Sequence, residues 1–246
     1  MLSFLKSHPF AVEAFFESST VLAFAVPKEE LQHLIPDCLE LDMYEDKWAF
    51  IAVAIVKTKG LRPKGFPTCM GSSFTLIGYR IFVRYRNNAG DSIRGLYILK
   101  SETDKWRMHV LGNIFTHYNY SLIDIDYRTD VGLTNISSMQ TGLHIELKQG
   151  DDNTGLPLGS PFKDWKDARR FAGPLPHTFT YNATTKEVLT IKGLRENWKP
   201  TPVQVSSYNI PFIDSLQLKG AVLANAFVIT DISYHWQKGK TEIWQG

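Results

Sequence analysis

Arg80 lies inside Gly78-Tyr79-Arg80-Ile81-Phe82-Val83, a run that is otherwise apolar and aromatic. An unpaired guanidinium is costly to bury, so an inward-facing arginine there must hold a carboxylate, the protein's own or a ligand's. Period-two geometry equally offers Tyr79, Ile81 and Val83 as a core face, which would send Arg80, Arg84 and Arg86 to solvent. A second group, His117-Tyr118-Asn119-Tyr120, sets an imidazole beside two phenols, a pairing that shuttles protons near neutral pH. In strand geometry Tyr118 and Tyr120 share one face and His117 takes the other; the alternative is that the tyrosines simply fill an interior with their hydroxyls hydrogen-bonded. Lys57 and Lys100 end apolar strands and are the amines that could reach inward, although strand-end lysines usually keep the ammonium in water. Asp124 and Asp126 alternate with Ile123, Ile125 and Tyr127, as on the wet face of a strand. Zinc-type His/Cys spacing, a Gly-x-Ser-x-Gly elbow, a Walker loop and a dinucleotide fingerprint are all missing, so neither a metal nor a cofactor is expected.

The elements that must position these residues are mostly strands. Thr20 to Val26, Cys38 to Tyr44, Lys47 to Lys57, Phe74 to Arg86, Ile93 to Lys100, Gly142 to Lys148, Thr178 to Tyr181, Glu187 to Ile191 and Ala221 to Tyr234 are rich in β-branched or aromatic residues and bounded by turn formers. Glu45-Asp46 and Asn87-Asn88-Ala89-Gly90 read as hairpin turns, which makes the sheet largely antiparallel. Three short helices are expected: one opened by Pro27 and stopped by Pro36, one capped by Ser101 with Trp106, Val110 and Phe115 on its buried face, and one from Ser160-Pro161 to about Gly173. Arg62-Pro63-Lys64-Gly65-Phe66-Pro67 reads as an ordinary connection rather than a lid. The Gly, Asp and Asn-rich stretch from Gln149 to Gly159 is too short to link domains, so residues 1–246 read as one domain.

Composition narrows the partners. A formal charge of +2, with Lys and Arg scattered among Asp and Glu, leaves no basic stripe for nucleic acid. Lys6, His8 and Glu13 interrupt the N-terminal apolar patches before a signal-peptide core forms, and no stretch reaches the roughly 20 apolar residues of a membrane span. Cys38 and Cys69 are too few to staple a secreted domain of this size. A cytoplasmic protein with no membrane or nucleic-acid partner is expected, with a homo-oligomer left open.

Three segments resemble acetoacetate decarboxylase and its relatives. They are Leu31-Gln32-His33-Leu34-Ile35-Pro36-Asp37-Cys38-Leu39-Glu40-Leu41-Asp42, then Trp198 to Val203 with Ile210-Pro211-Phe212-Ile213, and the strand from Val222 to Ile232. The resemblance implies a mainly β fold with a few short helices, an antiparallel β-barrel of the acetoacetate-decarboxylase-like type. Gly112 to Leu122 falls where that family carries its catalytic loop, roughly Gly-Arg-Glu, three variable residues, an aromatic, Pro and Lys-Lys. Only Gly112 and Tyr118 match: Asn113 and Ile114 replace the Arg and Glu, Asn119 the proline, and Tyr120 and Ser121 the two lysines. The family's arginine near the first barrel strand is also missing, Glu17 falling near its place. Decarboxylation by the amine route needs an unprotonated lysine that becomes a protonated imine and accepts the electrons left by carbon dioxide. Neither Tyr120 nor Ser121 can form one. A lysine-less group of decarboxylase-like proteins is similar in the middle of the chain, at Gly78 to Val83 and Gly95-Leu96-Tyr97-Ile98-Leu99.

The resemblance therefore implies a barrel that binds a small anionic organic molecule. His117, Tyr118 and Tyr120 are the candidates for proton transfer, and Arg80, Asn113, Asn119 and Ser121 for ligand contact. The rivals are a β-keto acid lyase using a displaced lysine and a structural or regulatory barrel with a filled interior.

Overall fold

The computed structural model describes residues 6–151, 154–196 and 198–246. The chain runs β1 (Val12–Pro27), α1 (Lys28–Leu31), β2 (Glu40–Leu41), β3 (Trp48–Pro63), β4 (Ser72–Arg86) and β5 (Ser92–Thr103). It continues through α2 (Trp106–Phe115), β6 (Tyr120–Leu122), β7 (Asp126–Asp130), β8 (Leu133–Ser138), β9 (Leu143–Gln149) and α3 (Trp165–Ala172). Last come β10 (His177–Asn182), β11 (Glu187–Arg195), β12 (Thr201–Asn209), α4 (Pro211–Ser215), β13 (Val222–Trp236) and β14 (Lys240–Ile243). One sheet carries the order β14-β11-β10-β5-β4-β3-β1-β13-β12-β9-β8-β7, ending on β14 at one side and β7 at the other. Its pairs are antiparallel except β5 with β6 and β5 with β10. Pairing of Gly193 to Arg195 with Tyr234 to Trp236 joins β11 to β13 and closes the path between them into a barrel.

The central strands are buried on both faces, which is why they read as near-continuous apolar runs. In β3 the inner face is Ala52, Ala54 and Val56 and the outer face is Ile51, Val53 and Ile55, all six buried. The outer face packs with Ile136, Ile145, Leu147 and Val203 of β8, β9 and β12, so that part of the sheet folds over the barrel wall. Inside, Ala23, Ala25, Ala52 and Phe82 meet Phe50, Phe162 and the α3 residues Ala168 and Ala172, which seals one end of the barrel. Met108 of α2 covers Phe74 and Tyr120 towards the other end. No helix among the described residues is long and apolar enough to cross a membrane.

Several elements differ from the sequence expectation. The helix expected from Ser101 starts at Trp106, because Ser101, Glu102 and Thr103 extend β5, pairing with Leu76 to Gly78 on one side and Tyr120 to Leu122 on the other. Glu102 is buried against Lys100 and Tyr79 instead of capping a helix, and Asp104 accepts the Thr75 amide of β4. Trp106, expected on the buried face of α2, is 65% exposed; Met108 and Gly112 are the buried positions. The third helix begins at Trp165, where Asp164 caps the Asp167 amide. The strand expected over Cys38 to Tyr44 is a strand only at Glu40–Leu41, with an isolated bridge from Tyr44 to Trp48. Asp124 lies outside a strand and accepts the Ser138 hydroxyl and the Met139 and Gln140 amides, anchoring the turn after β8.

Candidate ligand-binding site

The barrel contains a cavity of about 290 Å³, so its interior is not filled. One row of residues across neighbouring strands shows how the sequence shapes it: Tyr120 of β6 stands opposite Ser101 of β5, then Gly78 of β4, Ala54 of β3, Val21 of β1 and Phe227 of β13. Small residues in the middle of that row leave the space that Arg80, the next inward position on β4, occupies. A Cβ added to Gly78 would stand 2.9 Å from the Arg80 Nε, so the missing side chain is where the guanidinium folds back along its own strand. Two further glycines seat cavity residues in the same way. A Cβ on Gly112 would meet the Tyr120 ring, and one on Gly193 would meet the Tyr234 hydroxyl.

The cavity lining contains three arginines, Arg62, Arg80 and Arg195, and, among the described residues, no Asp, Glu or Lys. Each arginine follows a glycine by two, in Gly60-Leu61-Arg62, Gly78-Tyr79-Arg80 and Gly193-Leu194-Arg195. Arg62 is ion-paired with Glu13 at 2.7 Å and bonded to the Gly60 and Phe66 carbonyls. Arg195 donates to the Pro174 carbonyl and lies over the Trp198 ring. Arg80 has no hydrogen-bond or ion-pair partner among the described residues, and its Nε is buried without an acceptor. What surface Arg80 keeps faces the cavity. Burial lowers its pKa from the ordinary arginine value, opposed by the neighbouring phenols of Tyr234, Tyr118 and Tyr120.

Those phenols stay protonated and can donate. Burial pushes Tyr118 up to about 12, with its bond to Thr178 and the charge of Arg80 pulling the other way. Burial raises Tyr120 and Tyr234 as well, again against Arg80. The Tyr118 hydroxyl shares a 2.8 Å hydrogen bond with Thr178 Oγ1. Tyr120 is held through its backbone, its amide donating to Asn113 Oδ1 and its carbonyl accepting from Asn113 Nδ2, both at 2.9 Å, while its ring projects into the cavity.

Arg80, Tyr118 and Tyr120 thus meet at one cavity, although residues 116–119 are not a strand and Asn119 has a positive φ of 51°. The other expected residues stand elsewhere. Asn113 positions Tyr120 and does not line the cavity; Asn119 is exposed and donates to the Leu99 carbonyl; Ser121 pairs with Glu102 in the sheet. His117 does not line the cavity either, and burial together with nearby Lys6 lowers its pKa. Lys100 is paired with Glu102 at 2.5 Å and lies over Phe212, and Lys57 lies over Tyr127, both with the groups packed outside the barrel. Arg195, Tyr234, Thr178 and Ser101 are lining residues that the sequence reading passed over. The repeated Gly-x-Arg spacing was the signal available for Arg195. Among the described residues no three His, Cys, Asp or Glu side chains converge as metal ligands would.

The family model DUF2071, described as an uncharacterized conserved protein, matches residues 14–230. A comparison with curated proteins finds no match. Among solved structures, acetoacetate decarboxylase from Legionella pneumophila is similar with a TM-score of 0.63 and 12% identity, over 95% of this chain and 88% of that one. An acetoacetate decarboxylase-like enzyme from Sphingomonas wittichii is similar with a TM-score of 0.58 and 12% identity, over 97% and 94%. The enduracididine biosynthesis enzyme MppR, complexed with the condensation product of pyruvate and imidazole 4-carboxaldehyde, is similar with a TM-score of 0.59 and 8% identity, over 95% and 89%. At these identities the likeness is one of fold.

Proposed function

Because the chain belongs to the DUF2071 family and has the acetoacetate decarboxylase-like fold, we propose that its barrel binds a small organic anion in a site without an imine-forming lysine. One observation carries this reading: the Arg80 guanidinium stands in the barrel cavity with no protein carboxylate beside it. Leaving a buried charge uncompensated costs several kcal/mol by order of magnitude, roughly 3–5 when one partner of a buried pair is removed. A bound carboxylate supplies the counter-charge, and the protonated hydroxyl of Tyr120 adds a donor beside it. Proton transfer by His117 forms no part of this reading, since its imidazole does not reach the cavity.

Isothermal titration of the full chain with butanoate and with neutral butanamide tests the anion. The acid should bind in preference to the amide, and Arg80→Met should weaken it by roughly tenfold or more, as expected for loss of a charge-assisted hydrogen bond. Equal binding of acid and amide, or an unchanged affinity in a folded Arg80→Met protein, refutes the proposal. Incubation with acetoacetate and cyanoborohydride should leave the protein mass unchanged. A reduced adduct on Lys57 or Lys100 would restore the displaced-lysine lyase.

A further inference from the structure

Resting on the anion-binding reading above, we infer that the ligand is an apolar-tailed carboxylic acid, its head seated inward at Arg80 and its tail lying along the β3 and β4 wall towards α2. The head is an anion because the lining carries arginine charge that no protein carboxylate meets. Arg62 already has Glu13; Arg195 has the Pro174 carbonyl and the Trp198 ring but no carboxylate, and its Nε is buried without a partner; Arg80 has no partner among the described residues.

The direction of the ligand follows from the order of residues along β4. Its inward positions run Phe82, Arg80, Gly78, Leu76 and Phe74. Phe82 belongs to the packed cluster with Phe162 and α3 that seals its end, so the guanidinium sits next to a closed floor. In the other direction the wall is Ala54, Val56, Leu76, Phe74 and Met108, and Arg62, ion-paired with Glu13, comes in beyond Phe74. A short polar keto acid would satisfy Arg80 and leave that wall against water, whereas an alkyl or aryl tail removes it from water. Taking about 30 Å³ per non-hydrogen atom, the share of one water in the liquid, the cavity accommodates on the order of ten such atoms. Octanoate has that size.

The test is titration of the full chain with acetate, butanoate, hexanoate and octanoate, and with octan-1-ol, in the wild type, Arg80→Met and Val56→Phe. Each added methylene should tighten binding about fourfold, the effect of burying one CH₂, so that octanoate binds on the order of a hundredfold more tightly than butanoate. Arg80→Met should lose at least tenfold for octanoate and little for octan-1-ol. Val56→Phe, which narrows only the apolar wall, should weaken octanoate and spare acetate. An affinity that is flat with chain length but still dependent on Arg80 overturns the tail inference and leaves the anion site standing. Octan-1-ol binding as tightly as octanoate overturns the anion site itself. Thermal melts of both variants, with Val56→Phe retaining Arg80, ensure that loss of fold is not taken for loss of binding.

Discussion

At the residue scale, the cavity depends on what three glycines lack. Gly78, Gly112 and Gly193 leave the volumes used by Arg80, Tyr120 and Tyr234. This separates stability from binding at Gly78. The atoms that a Cβ would crowd there are the far end of a flexible side chain, and replacing glycine by alanine in a compatible conformation commonly stabilises by ~0.4–1 kcal/mol through the unfolded state. Gly78→Ala should therefore keep or slightly raise the melting temperature while weakening butanoate severalfold; a fall in stability with unchanged affinity would contradict the seating role. The Gly-x-Arg pattern was visible in the sequence because a two-residue repeat puts both positions on one strand face. Which face pointed inward was not visible at Arg80, since β4 is buried on both sides and Tyr79 and Ile81 make an equally apolar alternative. Spacing put His117 on the face opposite the tyrosines, and it does stay off the cavity lining, although residues 116–119 are irregular rather than a strand.

At the element scale, α2 acts as a clamp on β6. The Asn113 amide bonds to both the nitrogen and the carbonyl oxygen of Tyr120, fixing a three-residue strand that lies at the edge of the β5 pairing. Asn113→Leu removes both bonds and leaves buried backbone groups unmatched, so a loss of about 1–3 kcal/mol in urea denaturation is expected, with increased hydrogen exchange at the Tyr120 amide. Protection at Tyr120 equal to wild type would show that the sheet alone holds it. The long apolar strands β1, β3, β4, β5 and β13 were legible because their runs are β-branched and bounded by turn formers. The start of α2 was misread because Ser101, Glu102 and Asp104 have the composition of a helix N-terminus, and nothing local says that Ser101 and Thr103 will complete a strand between β4 and β6. β8, β12 and β14 went unassigned, and β7 was read only at its start, since their exposed polar residues give little hydrophobic alternation.

At the scale of the whole molecule, Asp42 links parts of the barrel that are distant in sequence. Its fully buried carboxylate accepts the Arg84 Nε at 2.7 Å and the Arg94 Nε at 2.6 Å, and Arg94 also reaches the Phe171 carbonyl of α3. Asp42→Ala should destabilise the protein near the low end of ~3–5 kcal/mol, because the two guanidinia left behind are partly exposed. A change under about 1 kcal/mol would show that the carboxylate repays only its own desolvation. Closure of the barrel through β11 and β13 could not be read in advance, as no local signal pairs Gly193 with Trp236. The sheet path also ends on two strands, β7 and β14, that among the described residues each pair along one side only. Open strand edges are templates for self-association, and charge is the usual protection against it. Here β7 carries Asp126, Arg128 and Asp130 and β14 carries Lys240 and Glu242, so both rims repel the flat stacking by which β proteins form fibres.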